Sequence, residues 1–422
     1  MRFKTVLLVG FVVMAIAAGG GAQGFPSSSA RSAEAGTVPS LGNQPIAVGP
    51  FLFSPALQLS WENHSNLWQS ATDEVEDDIY VARLRLLFEV PIRESFVRIS
   101  YTPQYRESKN RVLDNNWDHF LEVSGDFEFS SGLTLGAVYR FVDGDVATDE
   151  VDPGGELVYS GRRFSKHNFG ITTDYWFSST DGLSFDIAAM KVEWRGESAQ
   201  RPGTESWYDY NQTTLRAGWL HQLSPTLVMD ISLGYRDYEP QATTDTIREY
   251  TSTNVTAGFR GQLNDVLSTE LRIGYEETDF STAESVVPGF TDFSGLIVNG
   301  NITWALAHGS KLRLDLLRQP FASNYDFNSY YTATGGRLLY DLDLGRFYGQ
   351  ARARIQTNDY EIPDSLLGVK RSDDLMILGA GLGFRLTDKV SLRASYIYED
   401  RDSLDPYGYL NKVWLVDLII GY

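Results

Sequence analysis

The chain has 422 residues. It predicts an all-β protein: a transmembrane antiparallel β-barrel of about eighteen strands, sixteen being the alternative, with short periplasmic turns and long extracellular loops. Three observations carry that expectation. From residue 51 onward, apolar and polar residues alternate with a period of two in segments of roughly ten, the length of a tilted membrane-spanning strand. The links between these segments alternate too, short then long. The composition is aromatic without being greasy: 23 Tyr, 23 Phe and 9 Trp coexist with a mean hydropathy of −0.24. Strands that face lipid on one side and water on the other give that combination, because only every second residue must be apolar.

Taken in order, Arg2 and Lys4 precede an apolar run from Thr5 to Ala18 and small residues from Gly19 to Gly24. This is the grammar of an export signal over residues 1–24, cut after Ala22 or Gly24; the apolar run is short for a spanning helix. Residues 25–50, rich in Ser, Ala, Gly and Pro, read as a flexible periplasmic segment. Residues 51–422 then form the barrel. Leu227, Met229, Ile231, Leu233 and Tyr235 alternate with Asp230, Ser232, Gly234 and Arg236. Leu267, Leu271, Ile273 and Tyr275 do so with Glu270, Arg272 and Gly274, and Met376 to Leu386 with Gly379, Gly381, Gly383 and Arg385. An amphipathic helix would instead repeat at three and four residues.

Tight links fall at Pro91 to Glu94, Ser130-Ser131, Ser179 to Asp181, Ser224-Pro225, Asn264-Asp265, His308-Gly309, Gly345-Arg346 and Thr387-Asp388. Longer polar links lie near 66–78, 108–116, 143–160, 197–206, 239–247, 279–290, 324–328, 359–371 and 401–408. Their alternation sets the even strand count and leaves both ends at the periplasmic rim. The last strand places Trp414, Val416, Leu418, Ile420 and Tyr422 on one face. Of these Trp414, Leu418, Ile420 and the terminal Tyr422 resemble the signal read by the outer-membrane assembly machinery. That machinery and outer-membrane lipid are thus expected partners. A secreted or periplasmic all-β repeat protein is the competing architecture.

Composition also excludes. With 36 basic against 55 acidic residues the formal charge is −19, which argues against a nucleic-acid partner. Without cysteine there is no disulfide scaffold, thiolate metal site, thiol nucleophile or lipid anchor. The five histidines, His64, His119, His167, His221 and His308, show no metal-ligand spacing. No catalytic, metal or cofactor residues are therefore expected. Asp143-Gly-Asp145 only resembles the start of a calcium loop.

The face opposite the apolar one collects arginine: Arg83, Arg85, Arg98, Arg140, Arg216, Arg236, Arg272, Arg313, Arg352, Arg354, Arg385 and Arg393. These are the expected lumen-lining residues. Fewer acids share that face: Glu89, Asp186, Asp230, Glu270, Asp315 and Asp417. A net-positive wall is expected, either focusing anions toward the lumen or bracing the barrel through ion pairs. The acidic surplus falls in loops, as at Asp73, Glu74, Glu76, Asp77 and Asp78.

Near the C-terminus, Arg371-Ser-Asp-Asp, the Gly379-x-Gly-x-Gly383-Phe-Arg-Leu-Thr strand, Val390 to Ser403 and Tyr409-Leu-Asn411 resemble the putative beta-barrel porin 2 family. The opening Pro55 to Asn66 is similar to that family's first strand and loop. The resemblance implies an outer-membrane port for exopolysaccharide, with the polymer and periplasmic polysaccharide-export components as partners. It transfers no catalytic residue. A general or anion-preferring diffusion porin for small nutrients is the alternative, and a structural barrel anchoring or sheathing another protein is a second.

Overall fold

The computed structural model describes residues 45–421 apart from 93–94, 130, 146–153, 157–162, 196–208, 242–248, 281–291, 324–327, 364–367 and 405–406. The expected export signal, most of the segment 25–50, and Tyr422 lie outside the described residues. In chain order the strands are β1 Ile46–Val48, β2 Phe51–His64, β3 Asp77–Ile92, β4 Ser95–Ser108, β5 Asn116–Phe129, β6 Leu133–Gly144, β7 Arg163–Trp176, β8 Asp181–Arg195, β9 Tyr210–Ser224 and β10 Leu227–Pro240. They continue as β11 Tyr250–Asn264, β12 Leu267–Phe280, β13 Phe293–Ala305, β14 Lys311–Ala322, β15 Tyr330–Leu344, β16 Phe347–Pro363, β17 Lys370–Thr387, β18 Val390–Asp402 and β19 Tyr409–Gly421.

From β2 to β19 each strand pairs antiparallel with the next, and β19 returns to β2 over Val413↔His64 to Gly421↔Ala56. The result is a closed barrel of eighteen strands. Closure removes every sheet edge, the condition for a sheet to stand in lipid where no water can satisfy free backbone groups. Eight short turns gather at one rim and nine longer links at the other. At two short turns the chain reverses through glycines of positive φ, Gly132 at 77° and Gly345 at 76°, where other side chains are strained.

The pleat sorts side chains as the alternation requires. On β19, Trp414 and Val416 are exposed on the outside while Val413, Leu415, Asp417 and Ile419 are buried inside. Strands run to 12–18 residues, longer than the expected ten. Each continues past the lipid band toward the long-loop rim, where its outer face turns polar. On β12 the outward Ile273 and Tyr275 give way to Glu277 and Asp279; on β17 Leu382 and Leu378 give way to Asp374 and Ser372. At the short-turn rim Pro91, read as a turn, belongs to β3 and lies opposite Phe96 of β4.

A second departure is β1, inside the segment expected to be without structure. Ile46, Ala47 and Val48 pair with Phe53, Leu52 and Phe51. They fill the edge of β2 that β19 leaves open beyond Ala56, which otherwise would expose unpaired backbone groups.

Candidate functional site

The site a barrel offers is its inner wall. All twelve arginines singled out from the sequence lie on the inward face, and nine hold a carboxylate at 3.7 Å or less among the described residues. The pairs are Arg83–Glu62 (3.3 Å), Arg98–Glu89 (2.7 Å), Arg140–Glu122 (2.7 Å), Arg216–Asp186 (2.6 Å) and Arg236–Glu276 (3.7 Å). Arg272–Asp230 (3.0 Å), Arg313–Asp315 (2.6 Å), Arg385–Asp343 (2.9 Å) and Arg393–Asp417 (2.8 Å) complete them. Arg354 donates to Gln356 at 2.6 Å. Arg352 lies across Gly379 on the neighbouring strand, and Tyr348 across Gly383, so the glycine run of β17 makes room for bulky inward side chains. Arg85 faces inward on β3.

The expected net-positive lining is corrected by further inward acids: Glu62, Asp77, Asp118, Glu122, Asp126, Glu128, Asp174, Glu276, Asp341, Asp343, Asp373 and Glu399. The sequence reading missed Arg106, Arg260, Arg337, Arg371 and Arg401, each paired with a carboxylate. Their signal was present. The period of two places them on the inward face, as in Ser395, Ile397, Glu399 and Arg401; of the five arginines, Arg371 and Arg401 fall in segments read as links, and the other three lie inside segments read as strands. The wall is largely a ladder of paired charges, since a low-dielectric setting makes an unpaired buried charge costly.

Two parts of that ladder have structural work. At the closing seam Asp417 accepts from Gln58 (2.8 Å), Ser60 (2.6 Å) and Arg393 (2.8 Å), joining β18, β19 and β2. Toward the long-loop rim an arc of stacked rings runs along the inner face. It passes from Phe164 and Trp194, 5.4 Å apart, through Tyr210, Tyr238 and Tyr250 at 4.9 Å steps, to Phe280 and Tyr330 at 5.6 Å.

A segment of the link between β6 and β7 reaches the opposite wall. The Gly154 carbonyl accepts from Gln356 (2.5 Å) and Asn358 (3.1 Å) of β16. The Glu156 carbonyl accepts from Arg401 of β18 (2.8 Å), and its carboxylate accepts from the Ser323 hydroxyl at the end of β14 (2.5 Å). Glu156 is wholly buried. Below it the inward Leu375, Ile377, Ile397, Val413 and Leu415 form an apolar patch that is buried as well, with Gly155 beside Leu375. Water would wet such a patch in an empty lumen. No sequence signal marked this strap, since Gly154-Gly155-Glu156 reads as an ordinary loop.

Other sequence features resolve differently. His64 is buried inside against Glu62 (3.3 Å), whereas His119 faces outward on Tyr101 (2.9 Å), so the two cannot converge on one substrate. Asp143 is held by Arg163 and Arg195, and Asp145 by Arg106, which occupies the carboxylates of the calcium-like triplet. Among the described residues no group of three or more His or acidic side chains could hold a metal ion. In the loop after β4 the Asp78 carboxylate, 2.5 Å from Lys109, holds that ammonium above the usual lysine range by its hydrogen bond. Of the assembly residues, Trp414, Leu418 and Ile420 face outward on β19.

Comparison with solved structures places this chain beside other barrels. OccAB3 of Acinetobacter baumannii aligns over 89% of this chain and 100% of its own, with 10% identity and a TM-score of 0.45. OpdK of Pseudomonas aeruginosa with vanillate aligns over 88% and 99%, with 10% identity and a TM-score of 0.43. The FrpB iron transporter from Neisseria meningitidis aligns over 83% and 62%, with 11% identity and a TM-score of 0.44. No curated protein matches. A family model does: "Putative beta-barrel porin 2" spans residues 39–416, and the chain belongs to that family of outer-membrane β-barrels.

Proposed function

We propose that this barrel is a passive export port for an exopolysaccharide, working with a periplasmic polysaccharide-export or copolymerase component. It is read as a channel and not as an enzyme. A polymer needs a hydrated wall offering many weak contacts in place of one tight site, so that the chain both enters and leaves. The half-exposed inward Arg98 and Arg140 and the exposed Gln350 are of that kind.

The observation that carries the reading is the strap. An extracellular link seated across the lumen, over an apolar patch, suits a conduit that stays shut until a chain is threaded, because an idle wide pore would leak. A permanently open eyelet for small nutrients has no use for it.

The test is surface polysaccharide, quantified in a deletion strain and after complementation. Loss of polymer, restored by the wild-type gene but not by an assembled Arg352→Glu/Arg354→Glu copy, is the expected result. Unchanged polymer in the deletion strain would sink the reading and leave nutrient diffusion to be tested by uptake.

A further inference from the structure

The strap and its seat are chemically one-sided. Every hydrogen bond described between them runs from a donor on the wall to an oxygen on the strap: Gln356, Asn358 and Arg401 to carbonyls, Ser323 to the Glu156 carboxylate. All four donors are buried. Arg354 stands close by, its guanidinium 3.4 Å from where a Gly155 side chain would begin. Arg371 completes the seat, its guanidinium over the rings of Tyr360 (4.6 Å) and Tyr407 (3.9 Å). Asp373 binds both Arg371 (2.7 Å) and Arg401 (2.5 Å) and fixes their orientation. Glu399, one inward position below Arg401, is engaged by Gln69 (3.2 Å) and Asn411 (3.1 Å).

With Glu156 gone, three arginines would face the two carboxylates Asp373 and Glu399 among the described residues, which leaves positive charge and converging donors there. Such a site recognises a chain rich in acceptor oxygens that carries carboxylates. We infer that Glu156 stands in for a carboxylate of the cargo, and that an acidic glycan, of uronate type, binds this seat by displacing Glu156 and thereby releases the strap. The strap is built for release. Among the described residues it meets the seat through Gly154, Gly155 and Glu156, and it is held by its differential contacts in the closed state, which a competing ligand removes. The uronate identity rests on the export reading; the seat and its displacement do not.

The full-length barrel reconstituted in planar bilayers tests this by conductance. Glu156→Gln keeps the shape and removes the charge. Its ratio of open to closed states should rise roughly tenfold, the order expected for losing one charge-assisted hydrogen bond. Oligogalacturonate should open the wild type at concentrations where neutral malto-oligosaccharides do not, and should add little to Glu156→Gln. Since the chain has no cysteine, Glu156→Cys/Ser323→Cys can be bridged by a short, reducible bis-thiosulfonate. The bridged barrel should stay closed and ignore oligogalacturonate until dithiothreitol is added.

Equal conductance in bridged and reduced barrels would overturn the inference, and this arm needs no unbridged variant to behave well. So would a wild type that answers acidic and neutral oligomers alike. If monomeric galacturonate at equal carboxylate concentration opens the barrel as well as the oligomer does, the seat stands and the polymeric cargo, with the export reading, falls.

Discussion

At the scale of single residues, the inner wall separates charges that brace from charges that meet the solute. Arg83 is 2% exposed and shares Glu62 with a buried His64, whereas the Arg98 side chain is 43% exposed beside Glu89. Arg83→Ala strands a buried carboxylate and should cost about 3–5 kcal/mol, read as a lower urea midpoint in lipid vesicles with ion selectivity preserved. Arg98→Gln should do the reverse. A half-exposed pair contributes under about 1 kcal/mol, so stability should hold while reversal-potential measurements show weaker preference for anions. A large stability loss from Arg98→Gln would mean that the exposed arginines brace as well. The identity and face of such residues were legible, because a period of two assigns a face without knowing any neighbour. Which of them were spent on ion pairs was not, since the partner sits one strand away at a register that only closure fixes.

At the scale of elements, the seam between β19 and β2 is where closure is won or lost. Asp417 gathers three donors from β2 and β18 there. Asp417→Ala should remove the buried acceptor shared by Gln58, Ser60 and Arg393 and weaken the barrel by several kcal/mol, about 3–5 by analogy with other broken buried pairs. Heat-modifiable gel mobility would show this as unfolding at a lower temperature; an unchanged transition would place the closing energy in the backbone ladder alone. On the opposite face, Leu382 is the most exposed of the large outward side chains of β17. Leu382→Arg should cost on the order of 2–4 kcal/mol if it lies at mid-depth, whereas the same change at Ser372, beyond the apolar band, should cost almost nothing. The alternation located these strands and their turns. Links read near 66–78, 108–116 and 401–408 match the strand ends at His64, Asp77, Ser108, Asn116, Asp402 and Tyr409, although an apolar stretch of about ten marks only the lipid and the hydrogen-bond ladder runs beyond it. The alternation missed β1, three residues too short to show a period, whose reason for existing is the edge that β19 vacates.

At the scale of the molecule, the proposed export reading has a strap on a wall of paired charges holding the conduit shut at rest. Gly154→Leu places a side chain where the Tyr331 hydroxyl already stands and should unseat the strap. Bilayer conductance of that variant should exceed the wild type, and cells carrying it should take up large hydrophilic antibiotics more readily. Conductance equal to wild type would mean that the strap lies off the path. By itself the sequence determined the class, the strand count, the membrane and the inward arginines, since each follows from a local rule: a period of two, a length of about ten and an alternation of links. Only the tertiary structure decided how the inner charges are partnered, that the wall is nearly balanced, and that three loop residues cross to the far side. Those depend on contacts between strands distant in sequence, and nothing in Gly154-Gly155-Glu156 states which donors its oxygens will meet.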